Sequence, residues 1–183
     1  MSDLVPRIEF EDIEPGLKEL FRPRVERLGY LGEFFKVMSA CPETMKGFFT
    51  ITESLKKELP DNLSQLVSVA LSSRLGNTYE QYQNERLSLK LGLSKEWVRS
   101  ALGAVDDPAS VFTPEEKAVQ KYAIAAGQGI GRGVEAEFKA LVEAVGPRKA
   151  VAVMWLVART ISHAMISNTL HLASPVTSVF DNG

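Results

Sequence analysis

Apolar residues recur along this chain at the three- and four-residue spacing of helices, and nowhere do they keep the sustained alternation of a strand. No two runs are joined by a convincing hairpin signal. The pattern predicts an all-α multi-helix bundle with helices at Gly16 to Arg27 (interrupted near Pro23), Leu31 to Ala40, Pro42 to Lys57, Leu63 to Leu75, Tyr79 to Leu91, Lys95 to Ala104, Pro114 to Ala126, Val134 to Val145 and Pro147 to Leu172.

Local punctuation supports these divisions. Thr113-Pro114-Glu115-Glu116 supplies an N-cap, a proline at the first helical position and a glutamate two residues on, which is a capping box. Gly92 reads as a stop after Leu91, and Ser94 can cap the helix that follows. The glycine-rich stretch Gly127 to Gly133 has the spacing of neither a dinucleotide fingerprint nor a Walker loop, and helix rather than strand precedes it. It is expected to be a flexible interhelical connection. Residues 173–183 have no periodicity and are expected to be extended or mobile.

Composition narrows the function classes. The 183 residues suit one domain spanning 1–183, and the net charge of -2, from 21 Lys plus Arg against 23 Asp plus Glu, offers no basic surplus for nucleic acid or an anionic membrane. The acidic start, MSDLVPRIEFEDIEPG, lacks the layout of a signal peptide. The longest apolar run, Ala150 to Ala158, is about half of what a bilayer needs and ends at Arg159. A single cysteine, Cys41, leaves no intramolecular disulfide or dithiol pair. A cytoplasmic location follows as the expectation, and Cys41 between Ala40 and Pro42 reads as a small buried hydrophobe.

Candidate chemistry collects on two helices. On the one beginning near Tyr79, Glu80, Asn84, Leu87 and Leu91 share a face that the leucines point inward. A carboxyl group buried there needs a partner or a shifted pKa. Arg74 continues the apolar stripe Leu63, Leu66, Val67, Ala70 and Leu71, and the short turn after it could bring it to Glu80. Asn77-Thr78-Tyr79-Glu80 also fits a capping box, in which Glu80 only closes the helix start. On the last helix, Trp155, Arg159 and His163 recur every fourth residue and form a second candidate wall. A histidine there can move protons near neutral pH, or it can be a satisfied core residue. His163 and His171 are about 12 Å apart along a helix, too far to share a metal ion within one chain, and no metal site is expected.

Three segments carry a family likeness: LGYLGEFFKVMSACPETMKGFF, LPDNLSQLVSVALSSRLGNTYEQYQNERLSLKLGLSKEWV and AVAVMWLVARTISHAMISNTL. From about Leu28 to Leu172, their order resembles the carboxymuconolactone decarboxylase and AhpD-like superfamily. The resemblance implies an all-α fold and a homo-oligomer, trimeric or hexameric. The peroxidase branch of that superfamily carries Cys-x-x-Cys and a histidine four residues on. Those positions fall here on Asn77, Glu80 and Asn84, so the dithiol route to peroxide reduction is closed. The decarboxylase branch carries Glu-x-x-x-His, of which Glu80-x-x-x-Asn84 keeps only the glutamate.

The resulting expectation is cofactor-free acid-base chemistry on a small organic acid or lactone. Glu80 and His163 would carry protons. Arg74, Asn77, Tyr79, Tyr82, Asn84, Trp155 and Arg159 would bind substrate, with Arg74 holding its carboxylate. The competing expectation is a non-catalytic relative whose polar turn caps a helix or binds a ligand or partner. Hydroperoxide consumption through Cys41 is a third, minor reading.

Overall fold

A computed structural model describes residues 4–181, and every helix expected from the spacing forms within them. They are α1 (Pro15–Leu28), α2 (Glu33–Met38), α3 (Pro42–Glu58), α4 (Asp61–Arg74), α5 (Thr78–Lys90), α6 (Lys95–Leu102), α7 (Pro114–Gly129), α8 (Glu135–Val145) and α9 (Pro147–Thr169), with no strand among the described residues. Proline occupies the start of α1, α3, α7 and α9, where its missing N–H costs nothing.

The differences from expectation have local causes. Pro23 lies inside α1 without ending it; the stop is Gly29, whose φ of 80° only glycine adopts freely. Helix α7 runs on to Gly129, so Gly127 belongs to a helix rather than to a connection. A Cβ at Gly127 would overlap the side chain of Leu71, so this glycine exists to let α7 touch α4. Cys41 is exposed rather than buried, because it sits at the turn that starts α3 and its side chain faces outward. Leu91, expected to face inward, is exposed just beyond the end of α5.

Helix α4 is the axis of the molecule and packs against α5, α6, α7 and α9. Its buried positions lie all round it and include Gln65, Ser68 and Ser72 among the leucines and valines, which is the pattern of a fully enclosed helix. The capping box of α7 forms as expected, and Glu116 of that box also accepts hydrogen bonds from Trp97 Nε1 at 2.8 Å and Asn62 Nδ2 at 2.9 Å. One carboxylate thereby ties α4, α6 and α7 together.

Two apolar clusters result. The larger fills the space among α4, α6, α7, α8 and α9. The smaller is built from α1 to α3, with Phe21, Phe34, Phe35 and Met45 at its centre, and is completed by Tyr79 and Leu172. Helix α9 is long and apolar enough to cross a bilayer, but half of that segment is buried against the rest of the fold, as in a core helix.

Residues 173–181 are irregular, as expected, yet anchored. The fully buried Glu85 accepts hydrogen bonds from Ser178 Oγ at 2.6 Å and Val179 N at 3.0 Å, and Arg86 donates to Thr177 O at 3.0 Å. Val179 and Phe180 then pack on the larger cluster. Residues 182 and 183 of the expected tail lie outside the described residues.

Candidate functional site

The two apolar clusters do not close completely over one another. Between them lies a cavity of about 400 Å³ whose wall includes Phe35, Phe48, Phe49, Tyr79, Leu156 and the chemistry-bearing Glu80. That volume is in the range of small-ligand sites.

Glu80 reaches the cavity because of how α5 begins. Asn77 is the N-cap, and its Oδ1 accepts the Glu80 N–H at 3.3 Å. The reciprocal half of a capping box is absent, since the Glu80 side chain turns away from the helix start and into the interior. There Arg159 Nη1 donates to its Oε1, and His163 Nδ1 lies 3.1 Å from its Oε2. Arg159 is itself held by Thr52 Oγ1 at 3.3 Å and by the ring of Phe48, 5.0 Å away. A guanidinium so placed is fixed by a carboxylate, a hydroxyl and an aromatic face.

His163 is packed more tightly still. Its ring stacks on Phe34 at 3.9 Å, and its Nδ1 is 3.2 Å from both Asn77 Nδ2 and Ser167 Oγ. The Asn77 amide orientation follows from its cap: Oδ1 faces the Glu80 N–H, so Nδ2 is the group that donates to His163. Nδ1 is then the accepting nitrogen, and the ring hydrogen sits on Nε2. Although Nδ1 and Oε2 are within 3.1 Å, their alignment is not that of a hydrogen bond, and Oε2 has no hydrogen-bond partner. Oε2 is thus left unpartnered beside an imidazole nitrogen that is already engaged.

The electrostatics agree with that arrangement. Burial would raise the pKa of Glu80, but the Arg159 guanidinium, with His163 and then Arg24 acting in the same direction, holds it below the ordinary carboxylate range. Burial pushes His163 down to about 4, with Arg159 and Arg24 acting in the same direction and Glu80 against them. At neutral pH the pair is an ionised Glu80 beside a neutral His163.

The structure brings together Glu80, His163, Asn77, Tyr79, Asn84 and Arg159. Tyr79 is buried; its hydroxyl accepts the Phe34 N–H at 3.3 Å, and burial raises its pKa. Asn84 lines the cavity while its Nδ2 donates to the Glu80 carbonyl at 2.8 Å.

Three expected residues lie elsewhere. Arg74 is exposed and donates to the Gly103 carbonyl at 2.6 Å, because the end of α4 points it at the negative C-terminus of α6 rather than back across the turn. Tyr82 is half-buried but absent from the cavity wall, being about 200° round α5 from Glu80. Trp155 is 55% exposed on the outside of α9. A four-residue step overshoots a helical turn by about 40°, so a stripe from 155 to 163 drifts from solvent into the core. Arg159 is half-buried and His163 is 3% exposed, in keeping with that drift.

Sequence reasoning missed Arg24, Thr52 and Phe48. Arg24 carried a readable signal: Leu17, Phe21 and Arg24 fall on one helical face, and the first two are fully buried. Among the described residues, no group of three His, Cys, Asp or Glu converges in a way that could hold a metal ion.

No family model matches the sequence, and no curated protein is similar to it at a significant level. Solved structures do match. The debrominase Bmp8, solved in complex with 2,3,4-tribromopyrrole, superposes with a TM-score of 0.81 at 17% identity over 94% of this chain and 92% of its own. A protein of unknown function from Agrobacterium tumefaciens, described as a putative antioxidant defence protein AhpD, gives 0.68 at 18% identity over 76% of this chain and 96% of its own. An alkylhydroperoxidase AhpD core from Ralstonia eutropha JMP134, an uncharacterized peroxidase-related protein, gives 0.70 at 16% identity over 92% and 90%. At these identities the likeness concerns the fold, and it agrees with the order of motifs: this chain has the AhpD-like all-α fold.

Proposed function

We propose that the chain is a cofactor-free enzyme that moves protons on a small organic acid or lactone, in the manner of a carboxymuconolactone decarboxylase-like lyase or isomerase. The observation that carries this reading is the unpartnered Glu80 Oε2, which lies 3.1 Å from His163 Nδ1 at the wall of a cavity. A proton taken up on His163 Nδ1, in place of the bond from Asn77, would pair the two as imidazolium and carboxylate. In an isomerisation the pair takes a proton from one carbon of the substrate and returns it to another. In a decarboxylation the protonated pair supplies the proton that replaces the departing carbon dioxide. Arg159 keeps Glu80 ionised between turnovers, and Asn77 fixes the imidazole tautomer.

The fold supports an enzyme that works on small molecules, since the debrominase that shares it was solved with a small planar ring bound. The absence of any thiol at Asn77, Glu80 and Asn84 separates this chain from dithiol chemistry. The competing reading, a non-catalytic ligand-binding protein, draws on the fact that Arg159 already has partners in Glu80, Thr52 and Phe48.

Proton transfer separates the two. A panel of small unsaturated acids and lactones incubated with the protein in D2O is expected to show, by NMR, deuterium incorporation or conversion of at least one member. Glu80→Gln should slow that reaction by about 100-fold or more while the Asn77 cap, which binds the backbone N–H, remains. Turnover at the wild-type rate in Glu80→Gln would defeat the proposal.

A further inference from the structure

Among the cavity-lining guanidinium groups that the proton-transfer pair does not use, Arg24 is set apart by the lack of a partner for its buried Nε. Arg24 reaches the cavity from the buried face of α1, following Leu17 and Phe21, and its guanidinium lies 4.5 Å from the ring centroid of Phe35. Its Nε is buried without a hydrogen-bond partner, and among the described residues no carboxylate pairs with it. The charges that act on it most strongly from nearby arginines, Arg27 and Arg159, have its own sign. Arg159 is paired with Glu80, whereas Arg24 has no carboxylate partner among the described residues and shares the cavity wall with further cations, Arg27, Arg86 and Lys90. A half-buried cation whose Nε lacks a partner is costly, and such a group is stabilised by an anion that can take the planar fork of its N–H donors.

We infer that Arg24 is the anchor for a substrate carboxylate, and that the cavity takes a carboxylate with a flat, apolar body. The anion would sit against Arg24 and the body against Phe48 and Phe49, which places the remainder of the molecule towards Glu80 and His163. An unpaired fork of N–H donors calls for a carboxylate, and the aromatic side chains on the wall call for an unsaturated or ring-containing skeleton rather than a sugar acid. This inference rests on the same cavity as the proton-transfer reading and assigns to Arg24 the task that the sequence suggested for Arg74. It also makes α1 part of the binding site rather than a mere cover for it.

Isothermal titration with benzoate and with its neutral counterpart benzamide tests the assignment. Wild-type protein is expected to bind benzoate about tenfold or more tightly than benzamide, and Arg24→Gln should remove that difference by weakening benzoate alone. Arg24→Lys, which keeps the charge and loses the fork, should fall between the two. Glu80→Gln should still bind benzoate, so a failure of the catalytic proposal leaves this result intact and the reverse holds as well. Equal binding of benzoate and benzamide by the wild type, no benzoate binding, or unchanged benzoate affinity in Arg24→Gln would each overturn the inference. The wild-type comparison needs no variant and stands even if Arg24→Gln does not fold.

Discussion

At the scale of single residues, Glu80 and His163 make the site's behaviour depend on pH. The folded His163 has a pKa of about 4 against 6.5 for an ordinary histidine, so between those values the unfolded chain binds the proton that the folded one refuses. Its contribution to stability is complete above pH 6.5 and lost as pH falls towards 4, on the order of 3 kcal/mol. The lowered pKa of Glu80 has the same sign and adds a further loss below the ordinary carboxylate range. Urea unfolding of the wild type is therefore expected to weaken steadily from pH 6.5 to pH 4, and His163→Gln should flatten that slope. A wild-type curve as flat as the variant's would show that His163 does not titrate as described. The sequence made Glu80 and His163 legible as polar residues on apolar faces, but it could not decide between a cap and a buried pair. That choice depended on the Glu80 side chain turning to Arg159 on α9, a contact between residues far apart in the chain.

At the scale of elements, helices were legible where apolar spacing and caps agreed, as in α5 and α7, and less so at ends governed by contacts from elsewhere. Helix α7 passes through Gly127 because α4 needs the room, which no local pattern states. The anchoring of the non-helical tail was not legible for a similar reason. Glu85 is a buried carboxylate that accepts from Gln81 Nε2 at 2.7 Å, Ser178 Oγ and Val179 N, so it serves as the dock for residues 173–181. Glu85→Ala is expected to cost about 1–3 kcal/mol and to speed hydrogen exchange at the tail amides, read by mass spectrometry. Protection unchanged from wild type would show that Val179 and Phe180 hold the tail by packing alone. Because Val176 of this segment lines the cavity, loosening the tail should also open the site to solvent.

At the scale of the whole molecule, two apolar clusters meet imperfectly, and the gap between them is the candidate site. Homo-oligomer formation, implied by the family resemblance, is proposed to use the outer stripe of α9, where Val151, Met154, Trp155 and Met165 are exposed. Trp155→Arg should lower the mass measured by light scattering without disturbing the circular dichroism, and an unchanged mass would place the contact elsewhere. The proposed chemistry depends on an ionised Glu80 beside a neutral His163 with no proton between them. NMR of protein labelled with carbon-13 at glutamate carboxyls and nitrogen-15 at histidine rings reads both groups at once. At pH 7 it should show Glu80 as a carboxylate and His163 neutral, with its hydrogen on Nε2. A doubly protonated imidazolium at pH 7, or a proton held by Glu80, would contradict the account.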